Sequence, residues 1–233
     1  MFIGHFGLAF AAKRAAPRSS LATLFSAAAL IDLVWPVFLL AGVEHVRIAP
    51  GITRLTPLDF YHYPVTHSLL AVAGWSVLFG VGYFLLRRYF RGAIVVGLLV
   101  TSHWALDALV HRPDLPLAPG DPTKIGLGLW NHPPVAILLE LAIFVAGLIV
   151  YLRTTTSQDR IGSAAIWSLA AFLLITWVAN LVGPPPPSVN ALASVALLAW
   201  LLIPWAAWGD RHRTVGKRIQ QAFRPFTANG AGI

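Results

Sequence analysis

Six apolar stretches, separated by short polar segments, dominate the pattern of this chain. Each stretch is long enough to cross the roughly 30 Å hydrocarbon core of a bilayer as a helix, and each is bounded by charged residues, proline or glycine. We therefore predict an all-α membrane protein, a bundle of about six transmembrane helices. The predicted spans are residues 20–43, 67–86, 92–111, 133–152, 162–183 and 189–208.

The first twelve residues, MFIGHFGLAFAA, form a shorter apolar segment. At about 1.5 Å per residue, a helix of this length does not reach across a bilayer. Basic residues follow the apolar run, which is the opposite order from a secretory signal. We predict a short half-inserted or interfacial N-terminal helix that belongs to the mature protein.

Composition favours a membrane protein over a soluble or nucleic-acid-binding one. Hydrophobic residues fill 57% of the 233 positions and charged residues only 11%, and the mean hydropathy is +0.71. The 17 Lys and Arg exceed the 9 Asp and Glu, but they lie in loops and at the tail, without the basic arrays typical of nucleic-acid binding. We predict one polytopic domain over residues 1–209 and a basic, loosely ordered cytoplasmic tail over 210–233.

The basic residues also predict the direction of each span. Thirteen of them fall on one side of the predicted bundle and four on the other. Because cytoplasmic loops are enriched in Lys and Arg, we predict a protein of the inner cell membrane with both termini in the cytoplasm. The thirteen are Lys13, Arg14, Arg18, Arg87, Arg88, Arg91, Arg153, Arg160, Arg211, Arg213, Lys217, Arg218 and Arg224; the four are Arg47, Arg54, Arg112 and Lys124.

The third predicted span carries a stripe of polar residues. His103, Asp107 and His111 recur every four positions in TSHWALDALVH, so their side chains share one face of a helix. An Asp near the bilayer centre costs roughly 2.5 to 3.5 kcal/mol on insertion scales, a cost that usually has a functional reason. The stripe indicates a metal site; the alternative is that these buried groups satisfy one another across the bundle.

Further His and carboxylate groups are predicted on the same, outer side of the membrane. Asp32 lies in the first span, and Glu140 lies near the outer start of the fourth. In HYPVTHSLL, Pro64 disfavours a helix through both His62 and His67, so we expect an extended or turn segment that leads into the second helix. The chain has no cysteine, so any metal ligands are nitrogen or oxygen atoms.

Four short motifs carry a resemblance to a known family. They are Gly4-His5, Asp32 followed by Pro36, His62 with Thr66, His67 and Ser68, and Ser102-His103 with Asp107. In this order, over about residues 1–120, they resemble the predicted membrane-bound metal-dependent hydrolases of bacteria and archaea, the YdjM-like family. The resemblance implies an inner-membrane hydrolase whose His and Asp residues hold a divalent metal. The family is distantly similar to zinc-dependent phospholipase C and related nucleases, which suggests phosphoester chemistry.

The chain departs from the family's pattern at one acidic position. Many relatives have two acidic residues near the first span, close to P-D-x-D, whereas ALIDLVWP contains Asp32 alone. A further ligand, if one is needed, is expected from Asp59, His111 or Glu140. The resemblance fades after the loop HRPDLPLAPG.

Together these features predict a mono- or dinuclear divalent-metal site, with zinc as the expected ion, that opens toward the outer leaflet. Its depth near the headgroups favours the lipid bilayer as partner and a phospholipid or lipid-linked phosphate as substrate, with the oligomeric state left open. The expected ligands are His5, Asp32, His67, His103 and Asp107, with Glu140 as general base and His62 or His111 as acid or orienting group.

Two other classes of membrane protein share parts of this pattern. A proton- or ion-coupled transporter also places Asp and His inside a bundle, but its relay should continue from His103 to the cytoplasmic side. A haem-binding electron-transfer protein uses paired His on facing helices, whereas mixed His and carboxylate groups suit a divalent ion better. Spans five and six, with Asn180 but no charge before Asp210, are predicted to be packing helices.

Overall fold

The computed structural model describes residues 1–216 and is mostly helical, as predicted. Within these residues, nine α-helices are joined by loops and by three two-stranded antiparallel sheets that the sequence pattern did not predict. The helices are α1 (Ile3–Ala15), α2 (Leu21–Ala28), α3 (Leu30–Leu40), α4 (Leu69–Arg87), α5 (Phe90–Val110), α6 (Pro133–Thr154), α7 (Arg160–Val182), α8 (Val189–Ala196) and α9 (Leu202–Arg211); the strands are β1 (His45–Ile48), β2 (Leu58–His62), β3 (Leu115–Pro116), β4 (Lys124–Ile125), β5 (Thr155–Ser157) and β6 (Arg213–Val215).

The long apolar helices agree with a multi-pass membrane protein. Among residues 1–216, α4, α5, α6 and α7 are each long and apolar enough to cross a bilayer, and so is Val189–Arg211, in which a 3-10 segment (Leu197–Leu201) joins α8 to α9. The helices α2 and α3 pass the same test only as a pair, bent by 55°. The number of candidate spans is therefore five, or six if this bent pair is one broken span.

Side-chain caps explain where several helices begin. Ser20, Ser68 and Ser188 each accept a hydrogen bond from the backbone N–H three residues later, at the starts of α2, α4 and α8. Asp159 caps α7 in the same way. These caps satisfy N–H groups that have no partner in the first turn of a helix. Ser68 also ends the turn after Pro64, which confirms the predicted change from an extended segment to a helix.

The N-terminal helix lies inside the bundle. Ile3, Phe6 and Phe10 are almost fully buried, and α1 packs against α2, α5 and α6. A Cβ atom added to Gly147 of α6 would lie only 1.9 Å from the carbonyl oxygen of Gly7, so the two helix backbones are in direct contact there. The interfacial alternative for α1 is therefore wrong, because a helix lying flat on a membrane surface would expose one face.

The two ends of α1 meet different surroundings. Met1 is buried in the bundle, whereas at the other end the buried Lys13 ammonium lies 2.7 Å from the Asp210 carboxylate of α9. Asp210 also accepts hydrogen bonds from the Tyr151 hydroxyl and the Leu21 backbone N–H. This network ties α1, α2, α6 and α9 together at the end of the bundle opposite the cluster described below.

The short sheets close the loops at both ends of the bundle. β1 pairs with β2 and β3 with β4 near the predicted outer face, and β5 pairs with β6 after α6 and α9. Residues 210–216, which the sequence places in a loosely ordered tail, thus end α9 and form β6. The rest of that tail, residues 217–233, lies outside the described residues.

Candidate metal centre

The structure brings the five sequence-predicted ligands together in one group, the five-residue cluster: His5, Asp32, His67, His103 and Asp107. The Nε2 atoms of His5 and His103 lie 3.3 and 3.2 Å from the two carboxylate oxygens of Asp107. The Nε2 atoms of His67 and His103 lie 3.6 and 3.5 Å from Oδ1 of Asp32. One ligand atom each from His5, His103 and Asp107, and one each from Asp32, His67 and His103, lie within 4.8 Å of one another.

Three helices and the turn before a fourth contribute to this cluster. His103 and Asp107 follow each other by one turn on α5, as their spacing predicts. Asp32 lies in the first turn of α3, just after the bend that separates α3 from α2. His67 immediately precedes the cap of α4, and His5 lies in the first turn of α1. The cluster thus depends on the bend and on the buried position of α1.

A backbone carbonyl orients His103. Its Nδ1 atom lies 2.8 Å from the carbonyl oxygen of Ala28, the last residue of α2. Because a carbonyl only accepts hydrogen bonds, Nδ1 carries the proton and Nε2 keeps its lone pair. That lone pair faces Asp32 and Asp107. The imidazole is therefore in the tautomer that a metal ligand needs.

A buried carboxylate orients His67 through a hydroxyl. The Thr66 hydroxyl lies 2.6 Å from Oε2 of Glu44 and 2.7 Å from Nδ1 of His67. Glu44 also accepts the backbone N–H groups of Val65 and Thr66 and is fully buried. The Thr66 hydroxyl donates a hydrogen bond to the carboxylate, so its oxygen accepts one from Nδ1 of His67. In the neutral imidazole Nδ1 then carries the proton and Nε2 is unprotonated. The sequence places Thr66 beside His67 in one motif, but nothing in it indicates Glu44 as the partner of Thr66.

The cluster contains buried nitrogen atoms that lack hydrogen-bond partners. Within residues 1–216, these include both ring nitrogens of His5 and Nε2 of His103. The two rings are stacked, with centroids 3.8 Å apart. Burying such atoms without partners costs free energy, and native proteins rarely do so without a reason. The three imidazoles and two carboxylates around these atoms offer nitrogen and oxygen donors that could hold a divalent metal ion.

Asp107 has one further charged neighbour. The α-amino group of Met1 lies 2.5 Å from Oδ1 of Asp107 and is buried with it. The same carboxylate oxygen faces Nε2 of His5, while Oδ2 faces His67 and His103. Asp107 is therefore the residue that the three histidines of the cluster and the α-amino group all approach.

Glu140, the predicted general base, holds the start of α1. One of its carboxylate oxygens accepts the backbone N–H groups of Phe2 and Gly4, and the other accepts the Trp177 indole N–H at 3.0 Å. Acidic groups near a helix N-terminus are favoured by its unpaired N–H groups and by the helix dipole. These contacts favour a positioning role for Glu140, because its oxygens already have donors on α1 and α7.

His111 lies one turn beyond Asp107 and has its own carboxylate partner. Nδ1 of His111 lies 2.9 Å from Oδ1 of Asp114, which also accepts the Tyr63 hydroxyl proton at 2.9 Å. Burial, together with the charge of Asp114, raises the pKa of Tyr63 well above its usual value, so the hydroxyl remains a donor. His111 also contacts Trp130, with ring centroids 4.1 Å apart. The sequence singled out His111, but nothing in it indicated Asp114 as a partner.

Two other residues considered from the sequence lie outside the cluster. His62 is exposed at the end of β2, where it stacks on His45 of β1. Asp59 is buried but forms ion pairs with Arg47 and Arg112. These positions place His62 away from the cluster and leave Asp59 fully engaged with two guanidinium groups.

A cavity of about 660 Å³ lies against the cluster. The side chain of Asp32 is 41% exposed and faces it, and His67, Asp107, His111 and Glu140 also line it. The walls are apolar and come from α3, α7 and α8, while the loop 50–58 and the proline turn 184–187 form the rim. The cluster is thus buried on the protein side and accessible from the cavity.

The chain was compared with models of protein families, with curated proteins and with solved structures. None of the three comparisons finds a match. The resemblance to the YdjM-like hydrolases therefore rests on the four short motifs alone.

Proposed function

We propose that the protein is an integral membrane hydrolase that uses a divalent metal, with zinc as the preferred ion, to cleave an ester or phosphoester. The observation that carries this proposal is the convergence of unpartnered, buried imidazole nitrogens of His5 and His103 on two carboxylates. A cation there would give these nitrogens a partner and balance the charges of Asp32 and Asp107. In this proposal the five-residue cluster is the ligand set.

The partial exposure of Asp32 suits a catalytic site better than a structural one. Structural zinc sites are closed by four protein ligands, whereas catalytic sites keep a position accessible to substrate. When bound, the ion supplies a Lewis acid and a water molecule that ionises near neutral pH. Asp32 faces the cavity, so a reacting ester would approach the cluster from that side.

Around this ligand set, other residues have distinct roles in the proposal. The carbonyl of Ala28 and the pair Thr66 and Glu44 fix the tautomers of two imidazoles. His111, held at Nδ1 by Asp114, presents the rest of its ring to the cavity and is our candidate for holding or donating a proton at Nε2. Glu140 keeps α1, and with it His5, in place.

The arrangement in the membrane belongs to the same proposal. We infer six spans, with α2 and α3 acting as one broken span, in an inner cell membrane. The excess of Lys and Arg beside Lys13 and beside the ends of α4, α6 and α9 supports a cytoplasmic location for that side. The cavity, at the opposite end of the helices, then opens on the outer side.

The structure gives less support to a proton-coupled transporter. Toward the cytoplasmic side, Phe6 and Phe10 of α1 pack against Phe25 and Phe144, with ring centroids 5.0 to 6.1 Å apart. This layer of aromatic side chains lies along α1 between His5 and Lys13. A proton relay needs polar groups or water across that layer. An outward-facing hydrolytic site needs none.

The first experiment measures metal content per chain by plasma mass spectrometry on detergent-purified protein, after zinc is offered and the excess removed. We expect one or two zinc ions per parent chain and their loss in the His67→Ala, Asp107→Ala double variant. His45→Ala, which changes an exposed histidine on β1, is the matched control and should keep the metal. No zinc in the folded parent, or equal zinc in the parent and the double variant, would contradict the proposal.

A further inference from the structure

The two helices that follow each other at the proline turn diverge beside the cavity. α7 packs against α9, whereas α8 packs against α3. Both helices nevertheless line the same cavity, α7 through Ala179, Asn180 and Leu181, and α8 through Ala191, Leu192 and Val195. The cavity therefore lies in the gap between them, on the side of the bundle that carries the five-residue cluster.

The apolar wall of the cavity continues onto the outer surface of the bundle. Val195 lines the cavity and is also 66% exposed, and Leu181 and Leu192 are partly exposed. In a membrane this surface faces acyl chains, since the sequence on both helices is apolar enough to cross the bilayer. The gap between α7 and α8 thus connects the hydrocarbon region of the membrane with the part of the cavity that the five-residue cluster lines.

The rim of the cavity carries a positive charge. Among the described residues that line the cavity, Arg54 is the only Lys or Arg. It belongs to the loop between β1 and β2, where the Thr53 hydroxyl accepts the backbone N–H groups of Leu55 and Thr56. Arg54 is exposed within this ordered turn. A guanidinium group there is suited to an anionic phosphate, which it recognises through paired N–H donors.

We propose that the cavity takes a membrane lipid with an anionic phosphate headgroup, and that the lipid enters sideways between α7 and α8. Its hydrocarbon chain lies along Leu181, Leu192 and Val195, and its phosphate lies between Arg54 and the cluster. This inference rests on the proposed function for the role of the cluster. Lateral uptake itself is independent of catalysis and is tested separately.

The test uses the full-length protein in phosphatidylcholine nanodiscs that contain a photoactivatable phosphatidic acid, and counts covalent lipid adducts per chain by intact mass. Ala191→Trp narrows the gap from α8, and Leu198→Trp, at an exposed position that does not line the cavity, is its control. Arg54→Gln removes the rim charge, and Arg87→Gln, at the cytoplasmic end of α4, is its control. We expect about tenfold fewer adducts in Arg54→Gln, since a charge-assisted phosphate contact is worth about one decade in affinity. In Ala191→Trp we expect fewer adducts than in the parent, because the indole occupies space in the gap, and we expect parent levels in both controls.

Equal adduct counts in the parent, Ala191→Trp and Arg54→Gln would overturn lateral uptake. Competition by glycerol 3-phosphate added in water would overturn the lipid assignment, because a free phosphate would then be the ligand; unchanged labelling supports it. Zinc content measured on the same samples separates the two proposals. If the parent binds no zinc but its labelling still falls in Ala191→Trp and Arg54→Gln, the hydrolase is contradicted and the lipid site is supported. If the parent binds zinc but its labelling is the same in both variants, the lipid site is contradicted and the metal site of the hydrolase is supported.

Discussion

The Nδ1 atom of His103 on α5 lies 2.8 Å from the carbonyl oxygen of Ala28, where α2 ends. A bend of 55° between α2 and α3 follows at once. Irregular backbone is tolerated at membrane depth where it is buried in protein and its polar groups find partners. Here the bend supplies both an acceptor for one predicted ligand and the position of another, Asp32. The interruption of this apolar stretch is therefore part of the site.

Replacing the hydroxyl between Glu44 and His67 should weaken metal binding. Thr66→Val keeps the shape of the side chain but leaves Nδ1 of His67 and a carboxylate oxygen of Glu44 without their shared partner. We expect zinc affinity to fall about 10- to 100-fold, as is typical when a group that orients a ligand is lost. A competition titration with a zinc-binding dye on purified protein measures this change.

The serine variant is the control for that experiment. Thr66→Ser retains the hydroxyl and should stay within about threefold of the parent, because only a methyl group is removed from a buried position. If Thr66→Val bound zinc as tightly as Thr66→Ser, the hydroxyl would have no part in orienting His67.

Adding a methyl group at the close contact between α1 and α6 should displace His5. A Cβ atom in Gly147→Ala would lie 1.9 Å from the carbonyl oxygen of Gly7, so α1 must move away from α6. Overpacking of this kind costs about 1 to 3 kcal/mol. We expect a lower midpoint of thermal unfolding in detergent and a loss of zinc affinity, measured on the same preparation.

Gly82→Ala is the matched control for this substitution. No atom lies within 4 Å of the Cβ that it adds to α4, and alanine favours a helix over glycine by about 1 kcal/mol. Stability and zinc affinity should therefore stay equal or rise slightly. Zinc affinity that is unchanged in Gly147→Ala would mean that His5 is not a ligand or that α1 is not held at this contact.

These contacts also separate what the sequence predicts from what it does not. Four-residue spacing on one helix makes His103 and Asp107 neighbours by local geometry alone, and the motif around Thr66 is equally local. Glu44, Asp114 and the carbonyl of Ala28 reach their histidines only through the tertiary fold. No periodicity or spacing in the chain encodes those contacts.

The misplaced expectations have physical reasons as well. A helix the length of α1 is too short to span a bilayer, so sequence reasoning predicted a half-inserted or interfacial helix. The close approach at Gly7 and Gly147, together with the Glu140 carboxylate at its N-terminus, buries it instead. His62 shares a motif with His67, but β2 ends there and leaves the ring exposed on the hairpin. Local sequence does not reveal which side of a turn a residue will occupy.

Removing one partner of the buried pair between α1 and α9 should destabilise the bundle. Lys13→Met leaves the Asp210 carboxylate buried without its cation, and breaking such a pair typically costs about 3 to 5 kcal/mol. The double variant Lys13→Met, Asp210→Asn removes the unpaired charge, and its single amide oxygen keeps an acceptor for the Leu21 N–H. The amide NH2 then faces the Tyr151 hydroxyl, whose oxygen accepts from it. We expect it to recover most of the loss in equilibrium unfolding by denaturing detergent; a double variant as unstable as the single one would refute this account.

The first turn of α7 should lose protection in acid. The backbone N–H of Gly162 and then His212, at 2.8 and 2.7 Å, lower the pKa of the Asp159 carboxyl below its usual 3.8. A carboxyl whose pKa is lower in the folded state stabilises that state above about pH 4, and the effect is lost as the pH falls through the folded pKa. Hydrogen exchange of the Gly162 amide, corrected for its intrinsic rate, should therefore accelerate as the pH falls below about 4. In Asp159→Asn, which keeps a side-chain cap but does not titrate, protection should be independent of pH over this range. Equal pH dependence in both proteins would show that another group controls this helix end.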